Sequence, residues 1–249
     1  MEKKILVFDM DDTLYLRKDP YLKAYRELFA CRLSLDEEEL YRISRKWSEI
    51  TFRQQKEGEI SLEQMHVDRV ILTYREMGAS LSLQEALHFQ ERYAYYQDHI
   101  TLREGMEQIL AALKAHGRIL GLLSNGPGDH QRKKYKALGL DAYIPESHVM
   151  ISGDLGIHKP ETGIFRAYEE KLLKEEKLGT EGVFYMIGDS LETDIAGAKA
   201  AGWKSIHLKN PELEEESCCR ADFEAADVKA LWEILKDLGC AESRNTLIY

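Results

Sequence analysis

The chain has 249 residues, 44% of them hydrophobic and 31% charged, with a net charge of −10. That length buries a full core in one large domain or two smaller ones. The negative balance argues against nucleic acid and against an anionic membrane surface as partners, since both call for basic patches; no stretch approaches the roughly 20 apolar residues of a membrane span.

The first element is the run Lys4 to Phe8. It is short and rich in β-branched and aromatic residues, which predicts a buried strand. Lys3-Lys4 precede it in the manner of a leader, but the apolar run stops after four residues at Asp9, too soon for a leader's apolar region. Residues two apart in an extended chain point to the same side. Asp9 and Asp11 are therefore expected to present two carboxylates to one spot, with Asp12 turned away. Like charges so close are costly without a cation or a proton between them. The pair predicts a metal site, a proton-transfer site, or both.

From Leu16 to about Ile100 the pattern is helical. Tyr21, Tyr25, Leu28 and Phe29 fall on one helical face, and Leu40, Ile43, Trp47 and Ile50 on another. Capping-box signatures at Ser61 to Gln64 and Ser82 to Glu85 open two more helices. The aromatics read as the core of a helical bundle. Arg17 and Lys18 read as surface charges, and Tyr15 and Tyr21 as residues that pack or that stack a base.

After Leu102 helices and strands alternate. Helices are predicted over Glu104–His116, Asp129–Leu138, Glu161–Leu173, Thr193–Ala201 and Val228–Leu238, the first, second and fourth stopped by Gly117, Gly139 and Gly202. Strands are predicted over Arg118–Leu123, Val149–Ser152, Val183–Ile187 and Ser205–Leu208. Glu212 to Glu216 reads as a solvated acidic loop. Alternation of this kind implies right-handed crossovers and a parallel sheet covered on both faces. The predicted fold is an α/β core, Rossmann-like, made of residues 1–15 and 101–249, with an all-helical cap domain inserted at residues 16–100. An insert leaving just after Asp9 and Asp11 lies over the C-terminal edge of the sheet, where open α/β sheets bind ligands. Cys31, Cys218, Cys219 and Cys240 lack metal-ligand spacing and read as reduced thiols of a cytoplasmic protein, and the eight histidines show no ligand pattern.

Three more polar clusters follow predicted strands: Ser124-Asn125-Gly126, Gly156 to Pro160 with Lys159, and Gly188-Asp189-Ser190 through Asp194. Each alone reads as a turn, a helix entry with Pro160 at the first helical position, or a cap. All of them on one sheet edge, together with Asp9 and Asp11, point to chemistry.

In this order they resemble the haloacid dehalogenase superfamily, in the subgroup with a helical cap after the first motif. Asp9, Asp11 and Thr13 match its first motif, Ser124 the second, Lys159 the third, and Gly188, Asp189 and Asp194 the fourth. The short interval between Ser124 and Lys159 leaves no room for a second type of cap. The resemblance implies phosphoryl transfer to an aspartate. Asp9 is then the candidate nucleophile, and Asp11 the acid for the leaving alcohol and the base for water. Ser124, the Asn125 backbone N–H and Lys159 are candidate phosphate-binding groups. Mg²⁺ is expected on the Asp9 carboxylate, the Asp11 backbone carbonyl and Asp189, with Asp194 acting through water or holding Lys159. Four carboxylates against one lysine leave about −3, which Mg²⁺ brings to about −1 and a protonated Asp11 to about zero.

The expected activity is a Mg²⁺-dependent phosphatase on a small phosphorylated metabolite such as a nucleoside monophosphate, phosphoglycolate or a sugar phosphate, in a monomer or homodimer. Asp-Asp-Thr-Leu-Tyr in the first motif is most similar to nucleotidase-like and phosphoglycolate-phosphatase-like members. A 2-haloacid dehalogenase, a phosphomutase, and a binding module that has lost catalysis are the alternatives.

Overall fold

A computed structural model of the chain describes residues 3–178, 182–210 and 218–241. The chain divides into two compact units, Arg17–Ile100 and Met1–Leu16 with Thr101–Tyr249.

The first unit holds four helices: α1 (Lys18–Leu28), α2 (Glu37–Lys56), α3 (Leu62–Glu76) and α4 (Leu83–Gln97). Ser61 and Ser82 cap α3 and α4 as predicted, each accepting from the backbone N–H three residues on. The reciprocal half of the box forms only at Ser82, where Glu85 reaches back to the cap N–H; the Gln64 side chain bonds Asp68 instead. The unit's core is aromatic. Tyr21, Tyr25, Phe29, Tyr41, Tyr74 and Phe89 are buried there. Tyr21 meets Phe89 edge-on with ring centroids 5.0 Å apart, so it packs rather than waiting to stack on a base. Leu40 and Ile43 of the α2 stripe are buried, while Trp47 and Ile50 are half-buried.

Among the described residues, the second unit is built on six strands: β1 (Lys4–Phe8), β2 (Ile119–Ser124), β3 (Val149–Ile151), β4 (Val183–Gly188), β5 (Lys204–Leu208) and β6 (Phe223–Ala225). All pairings are parallel, in the order β3-β2-β1-β4-β5-β6. β1 lies in the middle with Ile5, Leu6, Val7 and Phe8 fully buried. Apolar side chains on both faces of a strand require cover on both faces. The helices that follow are α5 (Met106–Ala115), α6 (Gly128–Ala137), α7 (Ser152–Leu155), α8 (Thr162–Glu175), α9 (Ala196–Ala200) and α10 (Val228–Asp237). Ile5 and Val7 pack on one face against Phe165, Tyr168 and Leu172 of α8 and against Trp203.

The chain adds β2 and β3 on one side of β1, then crosses to β4 on the other. This reversal leaves a crevice outside the carboxyl ends of β1 and β4, the ordinary ligand position of such sheets. Several predicted elements differ in detail. α5 starts at Met106 because Gly105 caps it in left-handed backbone, φ 81. β3 gives way at Ser152 to α7, and α8 starts at Thr162, so Pro160 precedes the helix rather than opening it. The helix predicted over Thr193–Ala201 is a wide turn, in which the Ile195 N–H reaches back to Ser190 O at 3.1 Å, followed by α9. β6 is unpredicted, since three residues are too few for alternation to register. Glu212 to Glu216 lies outside the described residues.

Among the described residues no helix is long and apolar enough to cross a membrane. The four cysteines are free thiols.

Candidate active site

Each strand that ends at the crevice delivers a polar residue to it. β1 delivers Asp9, whose N–H continues the ladder to Ile187 O at 2.8 Å. β2 ends in Ser124 and β4 in Gly188, just ahead of Asp189. Lys159 arrives from the loop before α8. Its ammonium is buried, and each of its three hydrogens has an acceptor: Asp9 Oδ1 at 2.7 Å, Leu123 O at 2.8 Å and Asp194 Oδ1 at 2.6 Å. The loop itself is fastened by Asn125, whose side-chain amide accepts from the Lys159 N–H at 2.9 Å and donates to the Lys159 carbonyl at 3.0 Å. The sequence pointed to the Asn125 backbone; the side chain ties the β2 turn to the lysine.

Asp194 also accepts from the Ser190 N–H through Oδ2 at 3.2 Å, and Ser190 caps the wide turn by accepting from Thr193 N–H. Turns of this width recur at functional sites. The turn drives Asp194 against Gly188, where a Cβ would meet Asp194 Oδ2 at 2.3 Å. Gly188→Ala is therefore expected to cost about 1–3 kcal/mol, the range for inserting a methyl group into a packed site. Thermal melting checks this; an unchanged melting temperature would mean that Asp194 moves freely.

Asp9, Asp189 and Asp194 are all buried, and one carboxylate oxygen of each lies within 4.8 Å of the others. Thr13 donates to Asp189 Oδ1 at 3.2 Å. The Asp9 carboxyl is pushed up to about 7, chiefly by burial and further by the Asp194 and Asp11 charges, against the downward pull of Lys159. Burial opposes the Lys159 charge, but the Asp194 and Asp9 carboxylates prevail and raise its pKa. Three buried acids around one ammonium thus hold an excess of negative charge. Hard oxygen donors at this spacing fit a divalent cation such as Mg²⁺.

Asp11 is not placed by the strand alternation expected to aim it. The strand ends at Phe8, the chain curls with Asp12 at φ 63, and Leu14 N–H bonds back to Met10 O. Strand alternation therefore does not aim Asp11, and its carboxylate is not among the three that cluster. Instead it accepts from Tyr15 Oη at 2.5 Å, Gln131 Nε2 at 2.9 Å and Lys134 Nζ at 2.6 Å. Asp12, expected to turn away, is buried, and its carbonyl accepts from Arg103. Lys134 and Gln131 were missed by the sequence reading; the signal was their i, i+3 spacing on the helix after Ser124. With Lys134 present, four carboxylates face two ammoniums, about −2 rather than −3.

Carboxylates and an ammonium gathered at the switch point of a doubly wound sheet occupy the place where such α/β folds bind ligands. The chain matches the haloacid dehalogenase-like hydrolase family over residues 3–202. It is a member of that family. It is similar to the glyceraldehyde 3-phosphate phosphatase of Pyrococcus furiosus, 35% identical over 149 residues, which cover 57% of this chain and 59% of that protein. It is also similar to the human N-acylneuraminate-9-phosphatase, 30% identical over 187 residues, 74% of this chain and 72% of the relative. The hydrolase YfnB of Bacillus subtilis, crystallised bound to magnesium, shares the fold at a TM-score of 0.64 and 21% identity, with 95% of this chain and 100% of that one covered.

Proposed function

We propose that the chain is a magnesium-dependent phosphatase that hydrolyses a small phosphomonoester through an aspartyl-phosphate on Asp9. The observation that carries this reading is the Asp9–Lys159–Asp194 arrangement beside Asp189. Asp9 attacks phosphorus, and the alcohol leaves with a proton from Asp11. Water then attacks the phosphorus of the aspartyl-phosphate, giving its proton to Asp11 and releasing phosphate with Asp9 restored. Ser124 and the Asn125 N–H donate to phosphoryl oxygens, and Lys159 offsets the charge of Asp9 and the phosphoryl group. Asp9, Asp189 and the Asp11 carbonyl would hold Mg²⁺, which supplies further charge neutralisation when bound. Asp194, with both oxygens engaged by Lys159 and Ser190 N–H, positions the lysine.

The unit Arg17–Ile100 is the cap of this reading and the α/β unit its core. The relatives' names point to small phosphorylated metabolites, with phosphorylated sugars and three-carbon phosphates first among the compounds to try. The protein works in the cytoplasm, as a monomer or homodimer, without nucleic acid or membrane. A dehalogenase needs neither an acid for its leaving halide nor a metal, so the acidic cluster favours the phosphatase.

The test is phosphate release across nucleoside monophosphates, sugar phosphates and phosphoglycolate, with magnesium or with EDTA. Release from some of these with magnesium, and background rates in EDTA that excess magnesium reverses, are expected. No release from any ester, or chloride release from a 2-haloacid in EDTA, would overturn the reading.

A further inference from the structure

α6 turns one face toward the site. Gln131 and Lys134 lie three residues apart on it and are 1% and 7% exposed. A lysine is rarely so buried unless it is paired, and the partner of Lys134 is Asp11. The two α6 side chains divide the Asp11 carboxylate between them: Lys134 takes Oδ1 and Gln131 takes Oδ2. Tyr15 adds a second donor to Oδ1, and the Lys134 ammonium lies 5.7 Å from the centre of the Tyr15 ring.

Gln131 has a second target. Its amide nitrogen is 2.7 Å from Ser124 Oγ and 2.8 Å from Asn125 O. A hydroxyl oxygen that accepts from the amide keeps its own hydrogen for another acceptor. The fully buried Ser124 hydroxyl is thereby left to donate elsewhere. Turning the amide over would set its oxygen against the Asp11 carboxylate, so the nitrogen faces Asp11 and Ser124, and the buried amide oxygen makes no hydrogen bond. A buried acceptor without a partner costs about 1–3 kcal/mol. That cost accompanies an amide that spans two functional groups, Ser124 at the end of β2 and Asp11 in the turn after β1.

We propose that Gln131 and Lys134 are positioning residues for phosphoryl transfer: Gln131 fixes Ser124 and Asp11 relative to each other, and Lys134 holds the Asp11 carboxylate where it meets the leaving oxygen. This rests on the phosphatase reading. It goes further by assigning α6 the acid–base half of the site. In kcat/KM, which reports the steps up to formation of the aspartyl-phosphate, a group that acts through Asp11 matters only where the leaving oxygen needs a proton; its service as base to the attacking water falls in the later step.

The test compares kcat/KM for an alkyl phosphate and for 2,4-dinitrophenyl phosphate, whose leaving group departs without protonation. Lys134→Met is expected to lose on the order of 10²-fold on the alkyl ester, the lower range for a displaced general acid, and less than about 5-fold on the dinitrophenyl ester. Lys134→Arg is expected to recover part of the alkyl-ester rate. Gln131→Leu is expected to lose rate on both esters, more on the alkyl one, because it also releases Ser124. If Lys134→Met fails to fold, Lys134→Gln keeps a donor to Asp11 and carries the same comparison. Equal losses on the two esters by folded variants, or no loss, overturn the inference while the phosphatase reading stands. No turnover of either ester by the unsubstituted protein overturns both.

Discussion

Asp9→Asn is expected to lower magnesium-dependent release from a generic aryl phosphate by about 10⁴-fold or more, the scale on which enzymes lose rate with their nucleophile. The substitution exchanges one carboxylate oxygen for nitrogen at constant size. An amide does not attack phosphorus at a useful rate, yet its oxygen still accepts from Lys159. Folding is expected to survive. Burial already works against the Asp9 charge, which is why its pKa rises to about 7, and a neutral side chain escapes that penalty. A variant that melts at or above the temperature of the unsubstituted protein, but turns over no ester, is the predicted outcome. Mass spectrometry adds a direct readout: the unsubstituted protein quenched during turnover should carry one phosphoryl group, and the variant none. Turnover retained within tenfold would assign the nucleophile elsewhere.

How much of this the sequence disclosed follows from which interactions are local. β1, β2 and β4 are apolar runs that end abruptly at polar residues, and that boundary is written in a few consecutive positions. Once the runs are parallel, their polar ends share an edge, so Asp9, Ser124 and Asp189 are brought to the same crevice as Lys159 and Asp194. Lys134 is different. It stands in the run Gln131-Arg132-Lys133-Lys134, which reads as a solvated basic face. Only the packing of α6 decides that Lys134 turns inward while Arg132 and Lys133 stay exposed. For Asp11 the geometric reason fails for a related cause: alternation predicts a direction only while the strand lasts, and the left-handed residue at Asp12 ends that geometry, although the Asp11 charge still acts on Asp9. The wide turn at Leu191–Ile195 was illegible too, because a reach of five residues leaves the same apolar pattern as an ordinary helix start.

Lys159→Met should destabilise the protein and silence it together, in contrast to Asp9→Asn. The methionine keeps the length of the stem and removes the ammonium, leaving the Leu123 carbonyl and the Asp9 and Asp194 oxygens without the donor they share. Removing one partner of a buried ion pair typically costs about 3–5 kcal/mol, most of it the penalty of the charge left behind. For a chain of this size that corresponds to a fall of roughly 6–20 °C in melting temperature. Activity is expected to fall at least about 10²-fold, because a donor aimed at developing phosphoryl charge is gone. Lys159→Arg should rescue little: three acceptors converge on one compact ammonium, and a planar guanidinium is larger and forked. Magnesium is expected to raise the melting temperature of Lys159→Met more than that of the unsubstituted protein, since the orphaned carboxylates gain most from added positive charge. A Lys159→Met protein that melts within a degree or two of the original would mean that this ammonium does not hold the acidic cluster together, and equal magnesium shifts in the two proteins would mean that Asp9 and Asp189 are not where the cation binds.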